Sequence, residues 1–394
     1  MNKASVDNIL MVAAWWPSKE KPNAGLFIRE QALAISNYIT KVSVIHVSIE
    51  KELSSFPFSI KIEESNDHGL LVYQAKIKTP IRKFGIHNFL VKKTFARVFA
   101  ISAKSFPPKF FYLNVRDHVT KLALKVPAFK VLPFIQTEHF SFYHRGFYLL
   151  SEKDKRKQKK ELIEWFSKPE LKAVLPVSED LKNTLISEFQ CEQQKVAVIP
   201  NVVSKDFYFE KEINNSAKIK AVSVASWNYP KRPDLLFEAA SLLPNDIKSR
   251  LEFHFVGEGP ALKIVRETYE KEAHNLTIKF HGFQPKKELA DICRTCDMMI
   301  HPTDAENAPT CISESLCCGV PVLSMHVNGI PEMVDESNGI LVPPNDSILL
   351  KDGILTMINH LDKFDREEIA RKANALYSPE TVAKAISLHI NKLP

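Results

Sequence analysis

The chain has 394 residues, of which 45% are hydrophobic and 25% charged, with a formal net charge of +7. Such a length exceeds what one hydrophobic core usually serves, so two domains are expected, and no apolar run reaches the ~18 residues that a membrane span requires. Six cysteines are too few for a disulfide framework, which points to reduced thiols and a cytosolic setting; Cys293-Arg294-Thr295-Cys296 has zinc-knuckle spacing but no matching second pair.

Short apolar runs alternate with amphipathic stretches from end to end, the pattern of parallel sheets with crossover helices. In the first half strands are expected at residues 9–14, 42–47, 70–75, 110–113, 132–136, 173–177 and 196–199, and a helix at 27–38. The run 9–16 could pass for a secretory segment. Only Lys3 precedes it as a positive charge, no small-residue cleavage site follows, and Pro17 turns the chain, so it reads as a first buried strand. It leads to Gly25, which ends a loop and opens a helix. Glycine there lets the backbone approach a ligand, or simply turns the chain.

Between Lys76 and Lys130 the only acidic residue is Asp117. Lys76, Lys78, Arg82, Lys83, Lys92, Lys93, Arg97, Lys104 and Lys109 are interleaved with Phe84, Phe89, Leu90, Phe95, Val98, Phe99 and Phe106. The stretch from Lys76 to Lys109 suits an anionic membrane surface, and equally a helix that buries its aromatic face and solvates its basic one. No recognised nucleic-acid motif accompanies the charge, so nucleic acid is not an expected partner. His139, in Thr137-Glu138-His139, follows a buried strand and should face a cleft; alone, such a histidine is as readily structural. Residues 153–160 read as a charged helix start with a solvated face.

After Pro200-Asn201 the periodicity fails, and residues 204–218, which include Asn214-Asn215, read as a linker. Two α/β domains joined once imply a cleft, with ligands at the carboxyl ends of the strands. Further strands are expected at 220–224, 251–256, 277–280, 298–301, 320–323 and 339–341, with a helix at 234–242. Lys231 lies in the loop after the first of these, where a lysine either reaches a diphosphate as a point charge or is merely solvated. Val256-Gly257-Glu258-Gly259-Pro260 looks like a dinucleotide fingerprint, but Leu262 stands at the third glycine position. No Walker lysine loop is present, and no two aspartates stand one residue apart, so the Asp-x-Asp metal site is missing and no metal is expected.

Glu306 and Glu314 are the most informative pair. The apolar run Met298-Met299-Ile300 leads in as a buried strand, and a helical stretch ends at Cys318-Gly319. Pro309 fits the first turn of that helix, where a missing N–H costs nothing. The amides of Thr310, Cys311 and Ile312 would then open the helix as an anion site. Glu306 lies just before it and Glu314 about one and a half turns inside, at ~3.6 residues per turn. One carboxylate on each side of a phosphate matches the layout of a sugar nucleotide; two glutamates at a helix start also serve as dipole complements.

With these motifs in this order, nearly the whole chain resembles the retaining GT-B glycosyltransferases, specifically glycosyltransferase family four. The resemblance runs through Gly25-Leu26-Phe27, Thr137-Glu138-His139, Val198-Ile199-Pro200-Asn201, Val256-Gly257-Glu258-Gly259-Pro260, His281-Gly282-Phe283, the Glu306/Glu314 pair, Gly319-Val320-Pro321-Val322, Asn328-Gly329-Ile330-Pro331-Glu332 and Asn338-Gly339-Ile340-Leu341-Val342-Pro343. It implies an α/β GT-B fold: two Rossmann-like, doubly wound parallel-sheet domains facing each other across a cleft. These would be an acceptor-binding domain over residues 1–202, joined by a helix at about 376–394, and a nucleotide-sugar domain over 203–375.

The resemblance also implies roles. Glu306 would contact the transferred sugar, Lys231 the charge on the leaving phosphate, and His139 the donor sugar. Gly25, Pro309, Thr310 and Cys311 would lie around the diphosphate, and Glu314 would hold the ribose. No cofactor is implied beyond a UDP- or GDP-linked sugar as co-substrate. The acceptor would be a glycan or lipid-linked glycan in cell-surface polysaccharide synthesis, with the protein cytoplasmic or peripheral at the inner face of the membrane. The family usually has an arginine five positions before the phosphate lysine; here Ser226 stands there. Arg232 or another cation would take its part, or the diphosphate would be held less tightly. An inactive sugar-nucleotide-binding protein is the alternative.

Overall fold

A computed structural model of the chain describes residues 8–52, 58–80, 84–105, 107–139, 143, 147, 149–211, 218–271 and 275–392. Lys3, Arg82, Lys83, Phe106, the Phe84 side chain and Asn214-Asn215 lie outside the described residues. The chain divides into two compact units. Residues Met1–Val177, Lys182–Val202 and Pro379–Pro394 form the first, Ser178–Leu181 and Val203–Ser378 the second.

Chain order begins with β1 (Asn8–Ala13), α1 (Leu26–Tyr38), β2 (Lys41–Lys51), β3 (Ser59–Asp67), β4 (Leu70–Thr79), α2 (Phe84–Ser105), β5 (Phe111–Asn114), α3 (Pro127–Lys130), β6 (Phe134–Glu138), α4 (Glu152–Phe166), β7 (Leu171–Pro176) and α5 (Glu179–Ser187). The first unit's sheet has the order β3-β4-β2-β1-β5-β6-β7. Its inner strands carry continuous apolar residues, as a sheet covered on both faces requires; Ile9, Met11 and Val12 have no exposed surface.

The expectation of wholly parallel sheets needs two corrections. β3 pairs with β4 in antiparallel fashion at the sheet edge. It has no fully buried residue; Ile60 and Ile62, half-buried on one face, are all the apolar alternation it carries, and the rest of the strand is polar. The strand expected at 196–199 is a loop instead. It makes one bridge, Val174 to Val196, and sends the Ala197 and Ile199 amides to β7. Pro200 then offers no further donor.

In α2, Leu90, Val91, Phe95 and Val98 are buried, and Phe99 packs edge-on against Phe129. The opposite face exposes Lys93, Arg97 and Lys104, with Phe89 51% exposed beneath the Lys93 ammonium. Lys76 and Lys78 sit on β4, paired with Glu20, Glu50 and Glu52. Among the described residues of the basic stretch, Lys93, Arg97 and Lys104 on the outer face of α2 and Lys109 beyond it are exposed cations.

The second unit continues with β8 (Ile219–Val224), α6 (Pro233–Ser241), α7 (Asn245–Arg250), β9 (Leu251–Val256), α8 (Pro260–Lys271), β10 (Thr277–Phe280), α9 (Lys286–Arg294), β11 (Met298–His301), α10 (Thr310–Cys317), β12 (Val322–Met325), β13 (Gly339–Val342), α11 (Ser347–His360) and α12 (Arg366–Tyr377). Its parallel sheet has the order β10-β9-β8-β11-β12-β13. Successive strand residues point to opposite faces. Met299 and Val322 enter one core, while Met298, Ile300 and Leu323 enter the other. Last comes α13 (Pro379–Ile390), whose Val382, Ala383, Ile386 and Ile390 join Ile28, Ala32 and Ile35 of α1 in the first unit's core. Among the parallel strands of each sheet the order reverses once, between β1 and β5 and between β8 and β11. A ligand crevice forms at such a point.

Candidate functional site

The β8–α6 and β11–α10 loops meet at the reversal in the second sheet. They are stitched by backbone bonds from Arg232 N to Pro302 O and from Asp304 N to Pro230 O, both 3.0 Å. A bridge between Lys231 and Thr303 fixes the register. This sets the Lys231 ammonium against the Glu306 carboxylate in a largely buried ion pair. Burial pushes the Glu306 carboxyl up, but the Lys231 charge and a hydrogen bond from His301 outweigh it and hold the group at about 2.

His301, the last residue of β11, stands 3.4 Å from Glu306 through Nε2 and 3.5 Å from the Cys311 sulfur through Nδ1. Burial drives its pKa down against the pull of Glu306. A neutral ring protonated on Nε2 satisfies both neighbours, donating to the carboxylate and accepting from the thiol. Burial also raises the Cys311 thiol, with Glu306 and Glu314 adding to the effect.

Pro309 stands at the cap of α10, one residue before the first turn, with φ −66° and ψ 122°. The amide of Ile312 turns back to Pro309 O. The amides left without an intrahelical acceptor at this end are therefore those of Thr310 and Cys311. Glu314, 3% exposed, is ion-paired with Lys286, whose ammonium lies 5.5 Å from the centre of the Phe207 ring. Each glutamate thus has its own lysine.

Behind the site, Gly329 N donates to Glu306 O at 3.2 Å. A Cβ on Gly329 would fall 1.9 Å from the Asn307 carbonyl oxygen. Only glycine leaves the Glu306-Asn307 backbone where it is.

The other sequence candidates are placed as follows. Arg232 is engaged by Asp234 at 2.7 Å, Asp304 at 3.3 Å and Asn345 at 2.7 Å, so its charge is spent inside its own loops. Ser226 is exposed and accepts from Asn228. Gly25 and His139 belong to the first unit. Gly25 has φ +68°, and a Cβ there would lie 2.5 Å from the Trp15 carbonyl oxygen; the chain itself requires this glycine. The His139 ring packs 4.6 Å from that of Phe27, and desolvation lowers its pKa to about 3 against a hydrogen bond with Asn201.

Two site residues, His301 and Lys286, were not marked by the sequence motifs. The signals were present: a histidine ending a buried strand at the reversal, and a lysine directly after Pro285 at a helix start. All six cysteines are unpaired. Among the described residues no three His, Cys, Asp or Glu side chains are grouped to hold a metal, and no helix is long and apolar enough to cross a membrane.

Comparison with known proteins identifies the family and the fold. Residues 204–375 match the family model "Glycosyl transferases group 1", and residues 84–207 match "Glycosyltransferase Family 4". The putative colanic acid biosynthesis glycosyltransferase WcaL of Escherichia coli is 26% identical over 208 residues, covering 51% of this chain and 50% of that protein. A phosphatidylinositol N-acetylglucosaminyltransferase subunit of Arabidopsis thaliana is 25% identical over 224 residues, covering 56% of this chain and 49% of that protein. The chain spans about half the length of the curated relatives it matches. Among solved structures, sucrose-phosphate synthase from Thermosynechococcus elongatus superposes with a TM-score of 0.73 at 14% identity, covering 98% of both chains. Anabaena Alr3699/HepE in complex with UDP-glucose gives 0.71 at 16%, covering 98% of this chain and 100% of that one. At such identities these two speak for the fold.

Proposed function

The chain belongs to the GT-B glycosyltransferases of family four, and from that premise we propose that it is a retaining, metal-independent transferase. It moves a sugar from a UDP- or GDP-linked donor to a glycan or lipid-linked glycan in cell-surface polysaccharide synthesis. The observation that carries this reading is the Lys231–Glu306 pair at the start of α10, with Glu314 further along the same helix. The donor diphosphate would meet the Thr310 and Cys311 amides and the Lys231 ammonium. These preorganised donors stabilise the leaving phosphate's developing charge without reorganising at the moment of reaction. Glu306 would turn to the sugar hydroxyls, and Glu314 would accept from the ribose. The UDP-glucose of the Anabaena structure favours a uridine-linked donor. The relatives' names, colanic acid and phosphatidylinositol, favour an acceptor at a membrane. The exposed cations of α2 would meet anionic lipid there; failure to sediment with anionic vesicles at low salt would remove that part.

The test is transfer from labelled sugar nucleotides to extracted glycolipid. Glu306→Gln and Lys231→Ala should each cut the rate by about 10²–10³, the cost of losing one preorganised charge partner, while circular dichroism is unchanged. Full activity in both would overturn the assignment. One observation favours a second reading, a sugar-nucleotide-binding protein without turnover: Ser226 supplies no charge and Arg232 is committed elsewhere. Nucleotide binding by calorimetry with no transfer to any acceptor would select it.

A further inference from the structure

The first unit holds a cavity of about 990 Å³, lined by Trp15 after β1, Arg116 and Lys121 after β5, Tyr143 after β6, and Lys157 and Glu161 on α4. It lies where the first sheet reverses its order, between β1 and β5. The point is equivalent to the one occupied by Lys231 and Glu306 in the second sheet.

Arg116 dominates its wall. The residue is only 8% exposed and its guanidinium lies 5.0 Å from the Trp165 ring centre. One amino group is 2.6 Å from Glu161 Oε1. Its Nε is enclosed and has no hydrogen-bond partner among the described residues. A guanidinium carries five N–H donors, and here most of that capacity is unspent. Glu161 is moreover shared, because Lys121 Nζ reaches the same oxygen at 2.9 Å. One carboxylate thus serves two cations. Lys125, Lys157 and Lys168 add positive charge to the lining, against two further acids: Asp117, engaged by its own turn with Thr120, and Glu164, 4.0 Å from Lys160. Behind the wall, the buried Glu138 carboxylate accepts from Tyr143 and Gln136. Val115, directly before Arg116, has φ +66° and is fully buried. A β-branched residue rarely adopts that conformation, and strain of this kind gathers at binding sites. It is held by the bond from Val115 N to Thr137 O and by Thr120 Oγ1 donating to Val115 O.

We propose that this cavity binds an anionic oxygen group of the acceptor, a phosphate or a carboxylate, with Arg116 as the anchor and Lys121 as the second cation. Arginine suits the task because its planar fork meets two oxygens at once. Only the word acceptor rests on the transferase reading; oxyanion binding by the first unit stands or falls alone.

The experiment is calorimetric titration of the full chain with inorganic phosphate, farnesyl diphosphate, glucuronic acid and glucose, beside a parallel titration with UDP. The anions should bind and glucose should not. Preference for farnesyl diphosphate identifies a lipid phosphate as the source, and preference for glucuronic acid an acidic sugar. Arg116→Gln and Lys121→Gln should each weaken anion binding at least tenfold and leave UDP binding unchanged. Glu161→Gln, which removes the internal competitor, should tighten it several-fold, a gain that a merely structural role would not give. Equal binding of glucose, or folded Lys121→Gln and Glu161→Gln variants with unaltered anion affinity, would overturn the proposal. Anion binding without transfer would leave this site standing and remove the transferase reading; transfer to a neutral glycan, indifferent to Lys121→Gln, would do the reverse.

Discussion

Each unit places charged groups where its sheet reverses, but the charges are balanced differently. Between β8 and β11 every glutamate has its own lysine, Lys231 for Glu306 and Lys286 for Glu314. Between β1 and β5 a single carboxylate, Glu161, is divided between Arg116 and Lys121. A neutral cluster can open one pair at a time and rebuild it around a ligand that offers both phosphates and hydroxyls. A cluster with surplus positive charge waits for an anion. On the two proposals above, the same topology would serve two kinds of recognition, and the choice would lie in a few side chains on the loops.

The sharpest way to break this comparison is to unbalance the second site. Lys231→Met leaves a buried carboxylate unpaired and should cost about 3–5 kcal/mol of stability. The double variant with Glu306→Gln should recover most of that loss and still fail in transfer. Urea unfolding of the four proteins gives the coupling; additive losses would mean that the pair is screened by water. Next in size, Gly329→Ala should cost about 1–3 kcal/mol by overpacking, because its Cβ would collide with the Asn307 carbonyl oxygen. It should also weaken nucleotide binding, as Glu306 is displaced; an unchanged melting temperature and affinity would show that this backbone yields.

Acidity separates the units further. Glu306, held at about 2, binds fewer protons folded than unfolded below its ordinary value of 4.5. Its contribution is complete above that value and is lost as pH falls through about 2. His139, held at about 3 against an ordinary 6.5, likewise binds fewer protons when folded, so stability should decline as pH falls from 6.5 toward 3. His139→Gln should flatten that slope in pH-dependent unfolding while leaving the decline below 4.5; an unchanged slope would mean that the ring titrates normally. Among the effects on transfer itself, the smallest is expected at Lys286. Lys286→Met should raise the donor KM about fivefold, equivalent to ~1 kcal/mol, with kcat retained. A fall in kcat alone would place the lysine at the reacting phosphate instead of the ribose side.

The sequence foretold the second unit more closely than the first. Residues 251–256, 277–280 and 298–301 are strands with the expected bounds, because short apolar runs between turn residues leave little choice. β3 was missed although Phe58, Ile60 and Ile62 alternate with polar residues, because that pattern stops at Glu63 and the second half of the strand is polar. A second signal was the turn Asp67-His68-Gly69, where His68 and Gly69 both have positive φ, as tight hairpins require. The Glu306, Lys231 and Glu314 positions could be read from spacing and resemblance. Their further partners could not. His301 and Lys286 reach the site through strand order and side-chain direction, which no local pattern encodes. Arg116 was passed over because its importance comes from Val115's backbone and from Glu161, 45 residues away along the chain.

The return of α13 to the first unit bears on how the protein is made. Its Val382, Ala383, Ile386 and Ile390 are part of the core beneath α1, so that core stays open until residues beyond 379 have left the ribosome. The second unit is finished sooner. Val203 N and Tyr377 O, near its two ends, are hydrogen-bonded at 2.9 Å, so it closes on itself like an inserted cassette. Domains ordinarily fold from the N-terminal end during synthesis; here the half translated later would be complete while the first half still lacks its last helix.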